Sequence, residues 1–96
     1  MEFQYEGAKL ALRPHQGFWK LINLYSTYPR QGHATELMRI VTDYADRNHI
    51  RLVLEPKQYG DPRGMTTPQL FEFYKRFGFV TRGELMVRDS QELQGL

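Results

Sequence analysis

A run rich in large apolar side chains, Phe18 to Tyr28, stops at Pro29-Arg30-Gln31-Gly32 and gives way at once to helical periodicity from His33 to Asn48. This junction constrains the fold more than any other stretch. The alternate positions of the run are Phe18/Lys20/Ile22/Leu24/Ser26/Tyr28 and Trp19/Leu21/Asn23/Tyr25/Thr27. Neither set is cleanly polar, which suits a central strand covered on both sides. The polar residues gather at the C-terminal end, Ser26 to Tyr28, where an open α/β sheet offers its ligand crevice. A glycine between strand and helix leaves the first helical N–H groups without internal acceptors, at the positive end of the helix dipole. Such a turn is a ready site for phosphate. Gly32 lets the backbone approach a ligand, Ala34 keeps the first helical turn slim, and Arg30 adds a cation. Taken alone, one glycine before a helix is more often a plain turn residue.

The flanking segments build a sheet around this junction. Ala8 to Arg13 alternates, and Pro14-His15-Gln16-Gly17 is a tight turn, so a strand antiparallel to Phe18–Tyr28 precedes it. The helix carries Leu37, Ile40, Val41 and Tyr44 on one stripe, flanked by Ala34, Met38 and Ala45, with Arg39, Asp43, Asp46 and Arg47 on the wet face. Ile50 to Glu55 is a short strand, and strand, helix, strand is a parallel crossover unit. Pro56 to Thr67 is a loop long enough to be functional. Thr67 as N-cap and Pro68 at the first helical position start a second helix. Its stripe is Leu70, Phe73, Tyr74 and Phe77, and Gly78 stops it. Phe79 to Thr81 and Glu84 to Arg88 are two short strands around Arg82-Gly83, and the chain frays from Asp89 to Leu96. The expected architecture is a single α/β domain over residues 1–96, with a mixed sheet and a core over about 8–88.

Composition removes several function classes. Thirteen basic against eleven acidic side chains give a net charge of only +2. With no cluster of Lys or Arg, nucleic acid is an unlikely partner. There is no cysteine, hence no disulfide framework, thiolate nucleophile or ordinary zinc site. The three histidines are too scattered to suggest a metal by spacing. The first residues lack the layout of a signal peptide, and no apolar run is long enough to span a bilayer. A cytoplasmic protein without a membrane association is expected.

Two segments taken together, LYSTYPRQGHATELM and, about thirty residues later, LFEFYKRFGF, resemble the GCN5-related N-acetyltransferase (GNAT) family. The family's cofactor motif is Gln/Arg-x-x-Gly-x-Gly/Ala at a strand-to-helix junction. Gly32 and Ala34 match its last two fixed places, while its first place falls on Pro29, with Arg30 and Gln31 supplying polar side chains nearby. The second motif, aromatic-Tyr-x-x-aliphatic/aromatic-Gly-Phe, is matched by Phe73, Tyr74, Phe77, Gly78 and Phe79. The resemblance covers about residues 18 to 88. Relative to typical members, the chain has only the pieces from the third strand onward, which implies a small, truncated, phage-like form.

The resemblance implies an acetyl-CoA-dependent transfer to an amine. The strand ending at Leu24-Tyr25-Ser26 would be splayed from the parallel strand Ile50–Glu55, and the gap would receive the pantetheine arm. Backbone groups of Leu24 and Ser26 would bond that arm. The N–H groups of Gln31, Gly32, His33, Ala34 and Thr35 would hold the pyrophosphate, with Arg30 beside them. Tyr74 would protonate the departing thiolate, although at helical spacing such a tyrosine also reads as a core aromatic. The upstream glutamate that serves as base in some members is replaced here by Phe18 and Trp19, which leaves Glu55 as the candidate base. A Glu at a strand end is more often a solvated charge. His15 reads as a polar turn residue, His33 as a backbone contributor and His49 as a helix C-terminal cation.

The expected acceptor is a protein lysine, or else a small amine, with Lys57, Asp61 and Arg63 of the long loop forming one wall of an open acceptor cleft and a possible homodimer supplying another. The alternative from another class is a non-catalytic protein-binding module on the same fold, such as an inhibitor of a host protein.

Overall fold

The computed structural model describes residues 1–26, 32–56 and 66–90. In chain order these form β1 (Glu2–Tyr5), β2 (Ala8–His15), β3 (Phe18–Ser26), α1 (His33–Arg47), β4 (Leu52–Leu54), α2 (Thr67–Lys75), β5 (Val80–Arg82) and β6 (Leu85–Arg88). The strands make one mixed sheet in the order β1-β2-β3-β4-β6-β5. Only β3 and β4, joined through α1, run parallel. Both expected helices and the crossover are therefore present, as is the C-terminal hairpin. β1 is an addition: it pairs antiparallel with β2 and extends the sheet before Ala8.

Register assigns each strand residue to one of two faces. Ala8, Leu10, Leu12, Leu21, Leu52, Leu54 and Met86 line the first face and are all buried. α1 lays Leu37, Met38, Val41 and Ala45 against this face, and Phe73 and Tyr74 of α2 complete the core. Phe3 of β1 meets Tyr44 of α1 edge-on, with ring centroids 5.4 Å apart. The buried stripe of α1 is rotated from the expected one. Ile40 is 43 % exposed, whereas the flanking Met38 is fully buried and Thr42 is buried beside it. Thr42 can face inward because its hydroxyl donates to the Met38 carbonyl at 2.8 Å, which satisfies its polar group within the helix.

The second face departs from the expectation of a sheet covered on both sides. Among the described residues both helices lie on the first face. Lys20, Ile22, Val53 and Val87 on the second are only half-buried, and Val80 and Leu85 are exposed.

Helix ends follow local chemistry. α2 begins one residue earlier than expected. Thr66 is the N-cap, and its hydroxyl accepts from the Gln69 N–H while the Gln69 side chain accepts from the Thr66 N–H. This reciprocal capping box beats Thr67 as a cap because Gln69 stands three residues after Thr66. At the other end Phe79 N–H donates to the Tyr74 carbonyl and Gly78 N–H to the Lys75 carbonyl, with Gly78 at φ 93°. This is a Schellman stop. Tyr74 and Phe79 supply its apolar contact, rings 5.7 Å apart. α1 ends the same way, with Ile50 N–H donating to the Ala45 carbonyl and His49 to the Asp46 carbonyl. There the left-handed position is filled by His49, at φ 54°.

Asp46 is not on a wet face. Arg88, 5 % exposed, donates from both terminal nitrogens to the Asp46 carboxylate at 2.7 and 3.0 Å and from Nε to the Phe77 carbonyl. One guanidinium thus joins β6 to the C-terminal ends of both helices.

Candidate functional site

β3 and β4 pair only at Trp19 with Leu52 and Lys20 with Val53. Trp19 N–H donates to the Arg51 carbonyl at 2.8 Å to start the ladder. β3 then continues to Ser26 while β4 ends at Leu54, so the C-terminal half of β3 runs on without a parallel partner. Its opposite edge stays paired to β2, with Tyr25 against Lys9 and Ser26 against Ala8. Between these pairs and Ile22 against Ala11 the register slips: one residue of β2, Leu10, faces two of β3, Asn23 and Leu24. Such a bulge bends the strand and strengthens its twist. Splay and bulge occur together in the segment that contains Leu24, Tyr25 and Ser26. Leu24 is half-buried and packs on the core.

The next described residue after β3 is Gly32, N-cap of α1, at φ 79° and ψ 0° with no side-chain cap. A side chain at Gly32 would have room, since nothing lies within 4 Å of the Cβ position, but the left-handed backbone is strained for any other residue. Glu36 N–H makes the first intrahelical bond, to the Gly32 carbonyl at 3.0 Å. The N–H groups of His33, Ala34 and Thr35 precede it and have no acceptor in the helix. With no Ser, Thr, Asp or Asn as cap, this terminus keeps its capacity to hold an anion. The His33 imidazole packs edge-on to Tyr5, with centroids 6.1 Å apart, and its Nδ1 is buried without a hydrogen-bond partner. Sequence reasoning assigned His33 a backbone contribution only. The contact with Tyr5 was not legible, because β1 itself was not. Arg30 and Gln31 lie outside the described residues, as do Lys57, Asp61 and Arg63 of the long loop.

Tyr74 is 5 % exposed on α2, edge-on to Phe73 at 5.3 Å and to Phe79 at 5.7 Å. Phe77 also packs edge-on to Phe73, at 5.1 Å. The aromatic motif therefore has a structural use, because its residues form the helix stop and fill the core beneath it. Glu55 follows β4 directly and is half-buried, at the end of the strand that bounds the splay. His15, in contrast, is exposed at the β2–β3 hairpin and stacks on Phe18, with centroids 4.9 Å apart. His49 serves the end of α1. Among the described residues no group of three or more His, Asp or Glu is placed to hold a metal ion. No described helix is long and apolar enough to cross a membrane.

No protein-family model matches the chain, and no curated protein does. Among solved structures, the chain is similar to the crystal structure of the anti-CRISPR protein AcrVA5. The TM-score is 0.76 at 22 % sequence identity, over 91 % of this chain and 95 % of that one. The likeness is one of fold, and it agrees with the small GNAT-like α/β architecture expected from the two sequence segments.

Proposed function

We propose that this protein is an acetyl-CoA-dependent N-acetyltransferase. The observation that carries the reading is the splay: β3 loses its parallel partner after Lys20 and leads to a helix whose first turn has no side-chain cap. An unpaired strand edge can bond an amide-bearing chain as a further strand would. The free N–H groups at Gly32, His33, Ala34 and Thr35 suit a diphosphate at one end of that chain. Pantetheine diphosphate has this layout. Leu24, Tyr25 and Ser26 would supply the strand edge, and Arg30 and Gln31 would join the turn.

The chemistry needs no covalent enzyme intermediate. The acceptor nitrogen bonds to the acetyl carbon and the carbon–sulfur bond breaks. In this reading Tyr74 gives its hydroxyl proton to the leaving sulfur, and Glu55 takes the proton released by the amine. A backbone N–H of β3 stabilises the developing oxyanion. The acceptor we favour is a lysine on a protein. The described fold leaves the sheet open on one side, and the structurally similar AcrVA5 is an anti-CRISPR protein, which makes a component of a CRISPR system one candidate.

A second reading has an observation of its own. Tyr74, Phe77, Gly78 and Phe79 are fully used in packing and helix termination. That would suit a non-catalytic module that acts by binding a protein. Mass spectrometry of lysine peptides incubated with acetyl-CoA tests both. The enzyme adds one acetyl group, and Tyr74→Phe lowers the rate by about 10²- to 10⁴-fold while acetyl-CoA affinity stays within twofold or so. Binding of acetyl-CoA without transfer, and with no effect of Tyr74→Phe, would favour the module.

A further inference from the structure

The sheet face that neither described helix covers carries a row of residues in direct cross-strand register: Arg13, Lys20, Val53, Val87 and Val80. Each sits opposite the next on β2, β3, β4, β6 and β5, so neighbours are about 5 Å apart. The row is cationic at one end and aliphatic at the other. Two like charges directly opposite each other, Arg13 and Lys20, cost stability in an isolated sheet. Further along the same face lie Lys9 and Arg82, with Ile22 and Leu85 as apolar neighbours.

The cations of this face differ from those elsewhere. Arg39, Arg47, Arg51, Lys75 and Arg88 are each ion-paired, to Glu36, Asp43, Asp89, Glu72 and Asp46. Arg76 lies over the Phe73 ring. Lys9, Arg13, Lys20 and Arg82 have no ion-pair partner among the described residues. Unpaired charge is thus gathered on the side of the sheet that the described helices leave uncovered, with Arg82 opposite Leu85, which is 39 % exposed, and Val80, 55 % exposed, on the same strand as Arg82.

We infer that this face docks an acidic protein segment, one that places carboxylates over Arg13 and Lys20 and aliphatic side chains over Val53, Val87 and Val80. Carboxylates would relieve the like-charge pair, and the aliphatic half would cover exposed Val80 and half-buried Val53 and Val87. A second copy fits poorly, because a two-fold contact sets the same patch against itself and doubles the uncompensated charge. A nucleic acid fits poorly too, because valine, leucine and isoleucine offer no stacking platform for bases. The inference does not depend on the acetyl-CoA reading, since it uses no residue of the β3–α1 turn.

The test is an NMR titration of the whole protein with three probes. One is a peptide with consecutive glutamates followed by valine and leucine, the second is its Glu-to-Gln counterpart, and the third is a single-stranded DNA oligomer. The acidic peptide should shift the amides of Lys20, Val53, Val87 and Val80. It should bind at least about tenfold tighter than the glutamine peptide and weaken as salt rises from about 50 to 300 mM. Arg13→Glu with Lys20→Glu should lose about tenfold or more in affinity while the amides away from this face keep the parent's chemical shifts. Val80→Asp should weaken binding as well. Where the double Glu variant melts early, Arg13→Gln with Lys20→Gln replaces it. No shifts on this face at millimolar peptide would overturn the inference. So would DNA displacing the peptide from it, or a dimer mapped to this face and dispersed by Val80→Asp.

Discussion

Arg88 and Asp46, 42 residues apart in sequence, form a two-pronged ion pair at 2.7 and 3.0 Å, and the Arg88 side chain is 5 % exposed. The same guanidinium caps the Phe77 carbonyl. It places a cation at the ends of two helices, where the dipoles favour one, and neutralises an acid that would otherwise face the negative end of α1. Removing the cation alone takes the guanidinium from a part-buried carboxylate and leaves the Phe77 carbonyl uncapped. Arg88→Met should cost about 3–5 kcal/mol in a urea melt. Adding Asp46→Leu to it should recover a measurable part of that loss, because the stranded charge goes with the acid. With Asp46→Leu measured alone as well, a double-variant loss equal to the sum of the two single losses would show that the pair is not coupled.

His49 should be a site of easy stabilisation. It holds the left-handed position that ends α1, at φ 54°, where a residue with a Cβ is strained and glycine is not. His49→Gly should raise unfolding free energy by at most roughly 0.5–1 kcal/mol, net of the imidazole's own interaction, read as a higher urea midpoint at unchanged slope.

The start of α2 gives a prediction of opposite sign. Thr66 and Gln69 cap each other reciprocally. Thr66→Ala should lower stability by about 1 kcal/mol, and Thr67→Ala by less, since Thr67 is not the cap. Equal losses would return the cap to Thr67.

Much of this fold could be read from the chain because its signals are local. Gly32 and Gly78 mark backbone turns that few other residues adopt, and both have positive φ. The aromatic stripe of α2 and the apolar run of β3 follow simple periods. Other features depend on information that is not local. β1 has only Phe3 and Tyr5 to bury, and its place in the sheet is decided by pairing with β2 and packing on Tyr44. Asp46 reads as a surface acid until β6 brings Arg88 to it. The outward turn of Ile40 reflects a helix rotated to bury Met38 and Thr42. The bulge at Asn23-Leu24 has no composition cue at all. Of the candidate site, the uncapped glycine turn was legible from the strand-to-helix junction, and the splay was expected only from the family resemblance. Tyr74 was legible as a core aromatic from its helical spacing, but the Tyr5–His33 contact was not, because it depends on which surfaces meet.

The measurement that bears most directly on the central claim is a thermal melt with and without acetyl-CoA, on the parent chain and on two glycine variants. Gly32 and Gly83 both have positive φ, 79° and 62°, and both have open space at the Cβ position. Gly32→Glu and Gly83→Glu should therefore lose similar stability, on the order of 1 kcal/mol each, from backbone strain. Only Gly32→Glu sets a carboxylate where a diphosphate would sit. A ligand at a hundredfold excess over its Kd adds about 2.7 kcal/mol, a rise on the order of 10 °C for a domain of this size. The account predicts that rise in the parent and in Gly83→Glu, and its loss in Gly32→Glu. No rise in the parent at saturating acetyl-CoA, or an equal rise in all three chains, would contradict it.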